Sequence, residues 1–244
     1  VRGDRPGITG SGAAAAFHPI LFGQSSSIER EREVPMKLRL IVVSFISVLL
    51  ASGAETVFGK YGEFSFAGLD FRLNYCAPGW VFHTPSKKNF VPESGFPQVN
   101  KNSCVVKGRF FVGGELELYE LLRIRKDGAL TLSASLKNPD GVPSASLHFS
   151  VDLPMEVLRG KQILVDGKAV NHGETLTGGK SNLWFHRIKE LRVPLKDGIL
   201  TVQGDFTFQI QNGKAWSGKN WNLRFGLRGG RVIRNASLNA VFKQ

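Results

Sequence analysis

The fold is decided by two similar stretches of sequence, ELLRIRKDGALTL at residues 120–132 and ELRVPLKDGILTV at residues 190–202. In each of them an apolar stretch ends at an Asp-Gly pair, and a second stretch of alternating apolar and polar residues follows. Asp-Gly between such stretches is a strong hairpin signal, because these turns need positive φ angles. The flanking sequences do not match, so the repeat predicts two hairpins of one antiparallel fold and not two domains.

Further strand signals surround these hairpins. A third Asp-Gly turn lies at residues 166–167, and residues 64–75 alternate around a glycine, which predicts one strand with a bulge. Other strands are predicted at residues 144–153, 206–211, 221–227 and 232–242. Only residues 154–159 suit a helical turn. The pattern is typical of an all-β fold, an antiparallel β-sandwich or jelly roll.

The segment at residues 36–54, MKLRLIVVSFISVLLASGA, has the layout of a secretory signal peptide. A short positive start precedes an apolar core that is too short to span a bilayer, and small residues precede Glu55. We therefore expect residues 1–35 to be a non-native or disordered leader and residues 55–244 to be a single folded domain. The product is expected to be secreted or periplasmic, without a stable membrane span.

Two cysteines, Cys76 and Cys104, lie in the predicted domain. In an exported protein such a pair predicts a disulfide, with two free thiols as the alternative. Residues 77–102 contain four prolines and read as a long loop held by the two cysteines at its ends.

The chain is basic, with 32 Lys and Arg against 20 Asp and Glu. A positive surface on an exported protein attracts acidic polysaccharides or other envelope polymers, although it can also serve solubility alone. Arg224 and Arg228 share a predicted strand face opposite Trp221, so they are candidate contacts to acidic groups. Export argues against nucleic acid as the partner.

One acidic cluster has a catalytic pattern. Residues 115–120, ELELYE, resemble the Glu-x-Asp-x-x-Glu signature of laminarinase-type retaining glycoside hydrolases, with Glu117 at the central Asp position. The resemblance implies Glu115 as nucleophile and Glu120 as acid/base. A regular strand places these two carboxylates on opposite faces unless a bulge intervenes, whereas retention needs them about 5–5.5 Å apart. The sequence therefore favours the other interpretation, the solvent face of an amphipathic strand, and assigns no catalytic residue.

Three of the four tryptophans are candidate ligand contacts, because flat aromatic rings match the apolar faces of sugars. Trp216 lies in a polar, glycine-bearing loop at residues 212–220, and Trp80 lies in the proline-rich loop. Trp184 follows a polar segment and is the third candidate. Trp221 shares its parity with the apolar residues of its strand and is predicted to be in the core.

Four histidines of the predicted domain show no metal-ligand spacing: His83, His148, His172 and His186. His148 and His186 alternate with apolar residues on predicted strands and are interpreted as structural. No metal and no cofactor is expected.

The order of segments resembles β-sandwich accessory domains of large secreted bacterial carbohydrate-active proteins. The resemblance is carried by residues 64–75, 147–167 and 221–238. It implies a non-catalytic domain that binds carbohydrate or another envelope polymer and that associates with a carbohydrate-active enzyme. The alternatives are a glycoside hydrolase that uses Glu115 and Glu120, and a structural envelope protein.

Overall fold

The computed structural model describes residues 55–170, 181–227 and 231–244, apart from the side chain of Trp216. The predicted leader and signal peptide, residues 1–54, lie outside these ranges, as do His172 and Arg228. In the described part of the chain no helix is long and apolar enough to cross a membrane.

The described residues form sixteen β-strands. The first eight are β1 (Val57–Phe58), β2 (Phe64–Phe66), β3 (Leu69–Ala77), β4 (Val81–His83), β5 (Phe90–Pro92), β6 (Gln98–Asn100), β7 (Ser103–Phe111) and β8 (Glu115–Ile124). The others are β9 (Leu130–Pro143), β10 (Ser146–Pro154), β11 (Ile163–Val165), β12 (Lys168–Val170), β13 (Asn182–Pro194), β14 (Ile199–Asn212), β15 (Asn220–Gly226) and β16 (Val232–Lys243). Two 3₁₀ turns are Met155–Leu158 and Gly213–Trp216.

The strands form one connected antiparallel sheet with β14 at its branch point. The main order is β1-β2-β3-β10-β15-β14-β16-β9-β8-β7-β5. β14 pairs with β16 through residues 201–204 and with β15 through residues 207–212, while β13 pairs with β14 along its length. The sheet therefore divides at β14 into one half that contains β3, β10 and β15 and another that contains β16, β9, β8 and β7.

The two halves pack against each other through aromatic side chains. The ring of Phe242 on β16 contacts Phe71 on β3 edge-on, with centroids 5.2 Å apart, and Phe225 on β15 at 6.0 Å. All three side chains are fully buried. Burying a phenylalanine stabilises the fold by about 1.5–3 kcal/mol, so these rings hold the curled sheet together. The predicted all-β antiparallel fold is confirmed, and it is built as one continuous curled sheet.

Both diagnostic hairpins are confirmed. β8 and β9 pair up to Ile124 and Leu130, and β13 and β14 pair up to Pro194 and Ile199. The glycine of each Asp-Gly pair has a positive φ, 79° at Gly128 and 112° at Gly198, which explains the sequence signal.

Two local predictions were wrong. Residues 64–75 do not form one bulged strand: they turn at Ala67 and Gly68, both with positive φ, so that β2 and β3 make a hairpin. The segment 77–102 is not a structureless loop, since it contributes β4 to one half of the sheet and β5 and β6 to the other.

The predicted disulfide is absent, because Cys76 and Cys104 are both free, buried thiols. Cys76 lies on β3, where its Sγ is 3.6 Å from the carbonyl oxygen of Ala77. Cys104 lies on β7, where its Sγ is 3.9 Å from the carbonyl oxygen of Gly59. The two thiols therefore belong to different halves of the sheet and have different neighbours.

Candidate ligand-binding cleft

The candidate site is the outer face of the half-sheet formed by β3, β10, β15, β14 and β13. Side chains alternate between the two faces of a strand. On β15, Leu223 and Phe225 are therefore fully buried in the core, whereas Asn222 and Arg224 point outward. The neighbouring strands follow the same pattern, which gives the half-sheet an apolar inner face and a polar outer face.

The strand register aligns these polar side chains in two rows across the sheet. One row runs through Ser150, Arg224, Gln209 and Trp184, and the other through Asp152, Asn222, Gln211 and Asn182. Adjacent strands are about 4.8 Å apart, so each row presents hydrogen-bonding groups at regular intervals. The residues of both rows line a cleft of about 760 Å³.

Exposed aromatic rings stand at the sides of this cleft. Trp80, just before the short strand β4, is 69% exposed, and Phe82 on β4 is 47% exposed. Trp184 on β13 is 49% exposed. Trp80 follows Gly79 in a tight turn, and both residues have positive φ angles. This turn folds the β4 segment back alongside β3, where it pairs antiparallel, and brings its aromatic side chains to the cleft.

A chain of hydrogen bonds crosses the floor and has Arg224 at its centre. Asn222 Nδ2 donates to Asp152 Oδ1 at 2.8 Å, and Arg224 Nε donates to Asn222 Oδ1 at 2.6 Å. Arg224 Nη1 also reaches Gln209 Oε1 at 3.4 Å, and its guanidinium lies 5.5 Å from the centre of the Phe82 ring. Burial lowers the pKa of Arg224, but an arginine stays charged at every physiological pH. The network therefore fixes a positive charge in the cleft.

A second set of hydrogen bonds fixes the β3 side of the cleft. Asn74 Nδ2 donates to Ser150 Oγ at 2.6 Å, and Thr84 Oγ1 donates to Asn74 Oδ1 at 2.6 Å. These bonds join β3, β10 and the segment that follows β4. The polar groups are thus held in place before any ligand arrives, which lowers the entropic cost of binding.

His148 also lines the cleft and is neutral. Its side chain is only 3% exposed, and burial, followed by the charge of Arg224, lowers its pKa to about 3. At neutral pH the imidazole therefore offers one donor and one acceptor and carries no charge.

The cleft brings together three residues that the sequence predicts as ligand contacts, Trp80, Trp184 and Arg224. The turn Gly213–Trp216 borders the cleft through Gly213, but the side chain of Trp216 lies outside the described residues, as does Arg228. Sequence reasoning missed the amide side chains of the floor. The signal was present on β15, where Asn222 and Arg224 alternate with the apolar residues that mark Trp221 as a core residue.

The two carboxylates of the predicted hydrolase alternative are not together. β8 pairs with β7 and with β9 without any register shift, so no bulge changes the alternation. Glu115 is on the outer face, where it pairs with Arg109 at 3.5 Å. Glu120 is fully buried on the inner face, and burial, reinforced by the charge of Glu63, raises its pKa well above the usual range. Glu115 and Glu120 therefore lie on opposite faces of β8 and do not face each other as a nucleophile and an acid/base would.

Among the residues that the structure describes, no three His, Cys, Asp or Glu side chains converge as a metal-binding set. In comparisons with known proteins, no family model matches this chain and no curated protein is significantly similar to it.

Proposed function

We propose that this protein binds a carbohydrate in the cleft without catalysis, as an exported protein of the cell envelope or its surroundings. The observation that carries the proposal is the combination of exposed aromatic rings with a fixed floor of amide and hydroxyl groups. Sugars present apolar C–H faces and a ring of hydroxyls, so they need both kinds of surface at once. The volume of the cleft, about 760 Å³, suits a short oligosaccharide.

Export is part of the proposal and is supported by the signal-peptide layout of residues 36–54. A polysaccharide partner, and association with a carbohydrate-active enzyme, agree with that location. Sequencing the amino terminus of the native product tests this part, since cleavage before Glu55 is expected.

The binding proposal is tested by titrating the protein with a panel of plant, algal and bacterial oligosaccharides in a calorimeter. At least one oligosaccharide is expected to bind, and Trp184→Ala and Trp80→Ala are each expected to weaken that binding about tenfold or more. Each substitution removes a stacking surface, and tenfold corresponds to about 1.4 kcal/mol.

The matched control is Tyr119→Ala. Tyr119 is an aromatic residue on β8 that is 40% exposed but does not line the cleft. The control is expected to bind as the native protein does, and binding that is unchanged in both tryptophan variants would place the site elsewhere. Absence of binding across the panel would reject the carbohydrate proposal.

A further inference from the structure

A side pocket of about 380 Å³ adjoins the cleft. The two share His148, Trp184, Gln209 and Arg224 among their lining residues. A ligand in the cleft therefore lies next to the side pocket, whose lining includes Arg231, immediately before β16.

The side pocket is positively charged. Arg224 and Arg231 both line it, and none of its described lining residues is an aspartate or glutamate. Neither arginine forms an ion pair with a carboxylate of the described residues. Asp152 lines the main cleft and not the side pocket, and it is joined to Arg224 through the side chain of Asn222. Its negative charge therefore reduces the positive potential of the side pocket from outside that pocket.

Arg224 has hydrogen-bonding capacity left over. A guanidinium has five N–H donors, and the described residues accept two of them, at Asn222 and Gln209. Both acceptors are neutral amides, although hydrogen bonds from a guanidinium are strongest when the acceptor carries negative charge. A partly desolvated cation of this kind is stabilised most by an anionic ligand group.

We infer that the side pocket binds the acid group of a carbohydrate ligand, so that the cleft selects glycans bearing a carboxylate or a sulfate ester. This inference rests on the proposed function: Trp80 and Trp184 hold the sugar rings, and Arg224 and Arg231 recognise the acid group. Long-range attraction by the basic chain speeds encounter with any polyanion, whereas recognition in the pocket discriminates between sugars of the same skeleton.

The test uses pairs of oligosaccharides that differ only in charge, titrated calorimetrically into the full-length protein. One pair is oligogalacturonate and its methyl ester, and the other is a sulfated galactan oligosaccharide and its desulfated form. In at least one pair the acidic member is expected to bind about tenfold or more tightly than its neutral counterpart. The pair that shows the preference identifies carboxylate or sulfate as the group recognised.

Two substitutions in the pocket and one control outside it decide whether the pocket causes the preference. Arg231→Gln is expected to reduce the acidic-to-neutral affinity ratio about tenfold. Arg234→Gln, which removes the same charge from an exposed residue outside both cavities, should leave the ratio unchanged. Arg224→Lys, which keeps the charge but loses the planar donor array, provides a second test and should also lower the ratio.

The outcomes separate this inference from the proposed function. Equal affinities within every pair, or a ratio that survives Arg231→Gln and Arg224→Lys, would overturn the inference. If such binding still depended on Trp184, the proposed function would stand. If no oligosaccharide of either pair or of the wider panel binds, both are rejected.

Discussion

Glu120 is a carboxyl group in the wrong environment for a charge. It is fully buried, and neither of its oxygens has a hydrogen-bond partner among the described residues. Gly62, with φ of 87°, lies against it, and a side chain added at Gly62 would overlap Oε2. The same neighbourhood contains Cys104, whose pKa rises to about 11 through burial and then through the charges of Glu120 and Glu63. The folded state therefore keeps Glu120 protonated at a pH where the unfolded chain releases the proton.

This shift makes stability depend on pH. A group with a raised pKa in the folded state contributes stability that is fully present below the unfolded pKa and is lost as the pH rises through the folded pKa. Glu120→Gln removes the titration, so the variant should gain stability relative to the native protein as the pH rises above about 4.5, by up to about 1.4 kcal/mol per pH unit. Urea unfolding at pH 4 and pH 8 measures this gain. Glu117→Gln, an exposed change on the same strand, is the control, and parallel pH profiles for all three proteins would contradict the assignment.

The reactivity of the two cysteines tests whether they are free, buried thiols. Both are fully buried and free, so Ellman's reagent at pH 8 is expected to find no reactive thiol in the folded protein. After denaturation in guanidinium chloride without reductant it should find two thiols per chain. A denatured chain with no reactive thiol would show that the cysteines are paired.

On the single strand β15, residues that stabilise the core alternate with residues that face the cleft. Asn222 faces the cleft, and its neighbour Leu223 is fully buried in the core. Leu223→Ala should destabilise the fold by about 2–5 kcal/mol, as expected for a core leucine. Asn222→Ala should weaken oligosaccharide binding severalfold, because it removes the acceptor for Arg224 Nε, with a smaller effect on unfolding. Denaturation and titration of the two variants measure this split, and equal losses of stability would contradict the assigned faces.

The elements that were predicted correctly from the sequence are those whose structure is determined by neighbouring residues in the chain. An Asp-Gly turn fixes its hairpin because glycine adopts the required positive φ, and the alternation on β15 or β16 reveals which residues are buried. The turn at Ala67 and Gly68 was missed because alanine rarely adopts positive φ, so nothing in the sequence distinguished a hairpin from a bulge. The strands of the segment 77–102 were missed because short edge strands depend on their partners, β3 and β7, which lie elsewhere in the chain.

In the whole molecule, the cleft forms because strand order and register bring residues from distant parts of the chain to one surface. Trp80 and Trp184 are about a hundred residues apart in the sequence, and only the order β3-β10-β15-β14-β13 places them on one surface. No single strand contains the site, so the sequence shows candidate contacts but not their arrangement. The separation of Cys76 and Cys104 has the same origin, since the two strands that carry them belong to different halves of the sheet.

Nitrogen-15 NMR of the tryptophan indoles gives the sharpest test of whether a carbohydrate binds in the cleft. The chain has four tryptophans, so four indole N–H signals are expected, each assigned by substitution. On addition of an oligosaccharide that binds, the signals of Trp80 and Trp184 should shift in a saturable manner, whereas that of Trp221 in the core should stay in place. Saturable binding that leaves the signals of both Trp80 and Trp184 unshifted would show that the carbohydrate binds outside the cleft.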